Sequence, residues 1–123
     1  MAHMLVVDDS RLSRRMVVDA LQKAGHDITE ATNGAEALES FQRDRPDCIF
    51  TDLLMPVMDG QELLSHIRKL DSIVPVIIVS ADIQQSTRTQ CETLGMNGFL
   101  SKPVRAEALL ECVKDTLSQE VGV

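Results

Sequence analysis

With 123 residues, 44% of them apolar, the chain has the length of one domain around a single core and leaves no room for a separate catalytic lobe. Trp and Tyr are absent, so aliphatic side chains must fill that core. A formal net charge of −7 without any basic tract argues against wholesale nucleic-acid binding and favours basic partners or cations.

No stretch approaches the ~20 apolar residues of a membrane span, and the N-terminus has no long apolar region. Secretion and membrane insertion are therefore not expected. Cys48, Cys91 and Cys112 lie far apart, without the paired spacings of zinc or redox sites. They read as reduced thiols, which suits a cytoplasmic protein. His3-Met4 has the look of a cloning remnant, so the first three residues carry no weight here.

In chain order, strands and helices alternate. Met4-Leu5-Val6-Val7 is an unbroken apolar run ending in Asp8-Asp9, the pattern of a strand covered on both faces. Ser10 is placed to cap a helix over Arg11 to Ala24, whose apolar stripe is Met16, Val17, Ala20, Leu21 and Ala24, with Gly25 as its stop. Ile28 to Ala31 has charged neighbours and suits a sheet edge. Asn33-Gly34 turns the chain into a short helix carrying Ala37, Leu38 and Phe41, closed before Pro46.

Cys48-Ile49-Phe50-Thr51 is the central buried strand, and Asp52 stands where it leaves the sheet. The loop Leu53 to Gly60 follows, then a helix with Leu63, Leu64, Ile67 and Leu70 inward. Val76-Ile77-Ile78-Val79 is a further β-branched strand ending at Ser80. Gln84 to Leu94 is a helix of unusual polarity, with Cys91 and Leu94 as its inward residues, ended by Gly95. Gly98 to Ser101 is a short last strand, followed by Lys102-Pro103 and a helix carrying Ala106, Leu109, Leu110, Val113 and Leu117.

Five βα units joined by short loops imply a parallel sheet with helices on both faces, so the carboxyl ends of all strands share one rim. Ligands of such open sheets bind there, which groups Asp8, Asp9, Asp52, Ser80 and Lys102. Singly, each has an ordinary explanation as a cap, a turn hydroxyl or a solvated cation. Together they do not, because three converging carboxylates repel and need compensating charge. Lys102 supplies one positive charge, and a hard divalent ion such as Mg²⁺ suits the remaining oxygens. A carboxylate held against a metal, an ammonium and a hydroxyl is suited to accept a phosphoryl group, which makes Asp52 the candidate nucleophile. No glycine-rich nucleotide loop is present, so a phosphorylated protein or a small phosphoanhydride is the expected donor.

Leu5-Val6-Val7-Asp8-Asp9-Ser10, Asp52-Leu53-Leu54-Met55-Pro56-Val57-Met58-Asp59-Gly60, Ser80-Ala81 and Lys102-Pro103 together resemble the receiver domains of two-component response regulators, including single-domain chemotaxis regulators. The resemblance spans nearly the whole chain. It implies a flavodoxin-like (βα)5 fold with strand order 2-1-3-4-5 and residues 1–123 as one receiver domain. It further implies that Asp52 takes phosphate from a histidine kinase or histidine phosphotransfer protein. Asp9, Asp52 and the Leu54 backbone carbonyl would ligate Mg²⁺, with Asp8 acting mainly through water, and Ser80 and Lys102 would contact the phosphoryl oxygens. Phe99 falls at the family's aromatic switch position, and a cis Lys102–Pro103 bond is implied although only ~5% of X–Pro bonds are cis. Leu54 and Asp82 occupy rim positions that affect phosphoryl lifetime. Leu12 and Val18, off the helix-one stripe, are candidates for a kinase-docking patch, though isolated exposed apolar residues need no partner. His26 and His66 show no ligand spacing.

The expected output is a shift of the surface formed by helix four, strand five and helix five towards a downstream protein target, in a signalling domain rather than an enzyme. A Mg²⁺-dependent aspartyl phosphatase is the alternative chemistry, but no second acid/base carboxylate or substrate lid is evident. A flavin carrier of the same fold is opposed by three acids at the rim. Within the family, a stand-alone regulator competes with a receiver that is part of a transcription factor or hybrid kinase.

Overall fold

The computed structural model describes the backbone of residues 2–82 and 84–121 and the side chains through residue 117. Met1, among the residues given no weight above, lies outside them. Ten elements alternate: β1 (His3–Val7), α1 (Arg11–Lys23), β2 (Asp27–Ala31), α2 (Gly34–Arg43), β3 (Cys48–Thr51), α3 (Gly60–Leu70), β4 (Val76–Ser80), α4 (Gln85–Leu94), β5 (Gly98–Ser101) and α5 (Ala106–Val121). All pairings are parallel, in the order β2-β1-β3-β4-β5. The (βα)5 doubly wound fold and its 2-1-3-4-5 order are those expected.

The two-residue period of the strands divides the core in two. Leu5, Val7, Ile49 and Ile78 face one side and pack with Phe41, Leu63, Leu64, Ile67 and Cys91 from α2, α3 and α4. Met4, Val6, Phe50, Ile77 and Val79 face the other and pack with Val17, Val18, Leu21, Leu109 and Val113 from α1 and α5. Residues on both faces are thus buried, which is why these strands read as continuous apolar runs. At the edge, β2 keeps Asp27 and Glu30 exposed.

Two helix faces differ from expectation. Met16, placed in the α1 stripe, is 49% exposed, whereas Val18, placed off it, is fully buried. The buried stripe of α1 is Val17, Val18 and Leu21, an i, i+1, i+4 set wedged between the sheet and α5; Met16 lies at the margin of that stripe, lining a surface groove with Val104 and Leu109. Leu12 is exposed as expected, while Leu70 ends α3 largely exposed, beyond the stripe of Leu63, Leu64 and Ile67. His3 is not inert either, since it extends β1 and its ring bonds Thr29 Oγ1 at 2.7 Å.

Helix starts are locally encoded. The side chains of Ser10 and Asn33 accept from Ser13 N and Glu36 N, and Asp59 forms a capping box with Glu62. In contrast, α4 has no side-chain cap, and Cys91 is its one buried residue. The loop before α3 is tight. Met58 N donates to Pro56 O at 2.7 Å across Val57, and Gly34 N donates to Met58 O at 2.9 Å.

Val57 has φ 68°, a left-handed conformation that a β-branched residue adopts only with strain. It is exposed, with no packing to lose. Val57→Gly should therefore stabilise the fold by about 1 kcal/mol, the relieved strain exceeding the entropy that glycine gains in the unfolded chain. Urea unfolding followed by circular dichroism measures this, and a less stable variant would show that Val57 holds its conformation without strain.

Candidate functional site

Each acid at the rim is placed by the sheet itself. The parallel ladder continues one residue past β1 and β3, with Asp8 N donating to Ala31 O at 3.1 Å and Asp52 N donating to Val7 O at 3.0 Å. Asp8, Asp9 and Asp52 each present a carboxylate oxygen within 4.8 Å of the others. Gly60 lets the start of α3 approach the Asp52 backbone closely, since a Cβ there would collide with the Asp52 backbone carbonyl oxygen.

Lys102 enters from the far side. Its backbone N donates to Ser80 O at 2.9 Å, continuing the β4–β5 ladder, and its bond to Pro103 is cis, as the resemblance implied. The ammonium lies 2.9 Å from Asp8 Oδ2 and 2.9 Å from Asp52 Oδ2. Burial alone would lower the Lys102 pKa, but the hydrogen bonds to Asp8 and Asp52 and their charges outweigh it and raise the pKa above the ordinary 10.5. Three carboxylates against one ammonium still leave an excess of negative charge in the pocket.

Hydrogen bonding sorts the three acids into different roles. Both Asp8 oxygens are engaged, Oδ1 by Ser10 N at 2.9 Å and Oδ2 by Lys102, and the residue is buried. Asp52 Oδ1 accepts from Leu53 N at 2.7 Å, and its side chain is 12% exposed. Asp9 is exposed, and its carboxylate makes no hydrogen bond among the described residues. The donor set is all carboxylate oxygen, with one acid free and one accessible, and this suits a hard divalent cation that retains waters.

The structure brings Asp8, Asp9, Asp52 and Lys102 into one cluster. Ser80 adjoins it through the Lys102 backbone, is buried, and its hydroxyl accepts from Asp82 N at 3.0 Å. Asp82 is in turn engaged by Gln84 N and the Thr87 hydroxyl, so the β4–α4 turn is tied to the start of α4. The Leu54 side chain is exposed. Phe99 is half-buried in β5 against the α2–α4 core, and the Arg88 guanidinium lies 5.4 Å from its ring centroid. His26 accepts from Ala2 N and His66 is exposed, so neither joins the site. Cys48, Cys91 and Cys112 form no disulfide with one another.

Arg14 was not anticipated. From α1 it donates to the Asp8 backbone carbonyl at 2.7 Å and to Glu30 on β2 at 2.8 Å. Its position in the chain, inside a helix and among other charged residues, carries no signal of that contact.

Comparison with known proteins agrees with this geometry. The family model described as "Response regulator receiver domain" matches residues 4–114. The chain is 38% identical over 120 residues to the chemotaxis protein CheY of Bacillus subtilis, covering 96% of this chain and 100% of that protein. It is 37% identical to part of the sensor histidine kinase RcsC of Escherichia coli, covering 93% of this chain but 12% of that protein. Among solved structures, the CheX-CheY-BeF3-Mg+2 complex from Borrelia burgdorferi superposes with a TM-score of 0.89 at 28% identity, covering 94% of this chain and 88% of that one. The chain belongs to the response regulator receiver family, and its role is phosphorylation signalling in two-component systems.

Because Lys102 has a raised pKa when folded, its stabilisation is fully present below the unfolded value and is lost as pH rises through the folded one. Lys102→Met should be less stable than wild type at neutral pH, with the gap closing at strongly alkaline pH. Urea unfolding across that range measures it. A gap independent of pH would mean that the ammonium is not what holds the acids together.

Proposed function

We propose that this receiver takes a phosphoryl group onto Asp52 from the phosphohistidine of a histidine kinase or histidine phosphotransfer protein. The observation that carries the reading is the Lys102 ammonium bridging Asp52 and Asp8 inside an acidic cluster. An Asp52 carboxylate oxygen attacks phosphorus and the P–N bond to imidazole breaks, its electrons returning to the ring nitrogen, which takes up a proton. Lys102 is within reach of both Asp52 and the space beside it, so its charge is available to the phosphoryl oxygens as transfer proceeds. Asp8, already holding Lys102 and Ser10 N, orients the ammonium.

Asp9, Asp52 and the Leu54 backbone carbonyl would hold Mg²⁺, with Asp8 acting through water. The ion would supply charge neutralisation for the phosphoryl oxygens and orient the acceptor. In this reading residues 1–123 form one receiver domain that assists its own phosphorylation and dephosphorylation without turning over a separate substrate. It works in the cytoplasm. Among the described residues, no helix is long and apolar enough to cross a membrane. A similar unit also occurs as a segment of a longer chain, the sensor histidine kinase RcsC.

The phosphorylated Asp52 offers new acceptor oxygens to the Ser80 hydroxyl, whose oxygen at present accepts from Asp82 N. Drawing Ser80 towards the phosphate loosens the Asp82 turn, and with it the uncapped start of α4. That helix is held at its other end, where Arg68 Nε donates to Gly95 O at 3.0 Å and Cys91 is buried. Movement at the Ser80 end is therefore the cheaper distortion. Phe99 fills space vacated beside Ser80, and the α4–β5–α5 surface changes for a downstream protein target.

Beryllium fluoride with Mg²⁺, a mimic of the aspartyl phosphate, should shift NMR signals at the rim and across residues 84–113. In Ser80→Ala the rim shifts should persist while those in α4 and around Phe99 fall to less than about half, since the differential contact is gone. Distant shifts that survive in this variant would contradict the route.

A further inference from the structure

Two of the three acids sit on the β1–α1 turn, and Arg14 holds that turn from the following helix. Its guanidinium spans the Asp8 carbonyl oxygen and Glu30 Oε1 on the edge strand, at 2.7 and 2.8 Å. The side chain is 14% exposed, against 46% for its neighbour Arg15, so Arg14 is set into the fold rather than lying on it. A solvated ion pair between α1 and β2 would need no carbonyl in its grasp.

The Asp8 carbonyl and the Asp9 N–H belong to one planar peptide unit. Pinning that oxygen fixes the plane from which the Asp9 Cα–Cβ bond projects towards Asp52. The Asp9 carboxylate itself makes no hydrogen bond among the described residues, so its direction is set by the backbone on either side, by Arg14 on the Asp8 carbonyl before it and by the bond from Ser10 N to Asp8 Oδ1 after it. Asp8, by contrast, is held by Ser10 N and Lys102 through its own side chain. We infer that Arg14 is a positioning residue for the cation ligand Asp9, with Glu30 as its brace; this rests on the reading of Asp9 and Asp52 as Mg²⁺ ligands. Arg14 suits the role because a planar guanidinium holds two acceptors at a fixed angle, which an ammonium does not.

Positioning and plain electrostatics predict opposite signs. Removing a positive charge beside an acidic pocket should tighten Mg²⁺ binding on Coulombic grounds. Removing the clamp should weaken it, by about tenfold if Arg14 acts as other groups that orient metal ligands do. Arg14→Met keeps most of the aliphatic stem. Mg²⁺ titration of the full chain, followed by the amide NMR signals of residues 8–10 and 52–54, measures the affinity without any phosphoryl transfer, and urea unfolding confirms that the variant is folded. An unchanged or tighter affinity overturns the inference. Should Arg14→Met fail to fold, Arg14→Lys keeps the charge and loses the fork; a loss of about threefold is expected, and no loss overturns the inference. Asp9→Ala, titrated in parallel, separates the two levels. If it leaves Mg²⁺ affinity unchanged, the ligand reading fails and takes the role of Arg14 with it; if it weakens binding while Arg14→Met does not, only the role of Arg14 fails.

Discussion

Like-charge repulsion at the carboxyl rim is the constraint on which the site depends. Three carboxylates within 4.8 Å of one another are unfavourable unless positive charge lies among them, and Lys102 reaches two of them at 2.9 Å each. That ammonium comes from the opposite end of the sequence. It arrives because β5 pairs beside β4 and the ladder runs one residue further, from Lys102 N to Ser80 O. The sheet order thus acts directly on the chemistry, since β1 leads into Asp8 and Asp9, β3 into Asp52 and β5 into Lys102, and β4 ends in the Ser80 hydroxyl.

Rigidity is unevenly distributed around this cluster. The strands carrying Asp8 and Asp52 lie at the sheet centre, buried on both faces, and the start of α3 is pressed against the Asp52 backbone through Gly60. The side carrying Ser80 is different. There the Asp82 turn leads into a helix with no side-chain cap and one buried residue, tethered at its far end by Arg68 to Gly95 and to Asn97. A fixed carboxylate cluster beside a weakly held helix is an arrangement that a small chemical event can convert into a change of surface.

Much of this was legible in the amino-acid sequence, for identifiable reasons. Continuous runs such as Met4–Val7 and Val76–Val79 mark strands covered on both faces; Asp8 and Ser80 fall directly after such runs, Asp9 and Asp52 one residue later, and Lys102 directly after the short strand Gly98–Ser101. A shared rim then follows from parallel topology alone. Strand order and the cis Lys102–Pro103 bond came from family resemblance, because neither periodicity nor spacing carries them. Met16 and Val18 were exchanged, since both are apolar and helical period alone fixes the stripe only to within about one residue. Arg14 left no trace because its partners, a backbone carbonyl and Glu30 of another element, are defined by the fold and not by any local pattern. Arg88 over Phe99 is hidden for the same reason.

In the proposed function the ammonium-bridged carboxylate of Asp52, and no other acid at the rim, accepts the phosphoryl group. The most direct test is to phosphorylate the chain with acetyl phosphate and Mg²⁺, reduce the product with borohydride, which converts an aspartyl phosphate to homoserine, and locate the altered residue by peptide mass spectrometry. Homoserine is expected at position 52, with Asp8 and Asp9 unmodified. Modification of Asp8 or Asp9 with Asp52 intact would contradict the proposal.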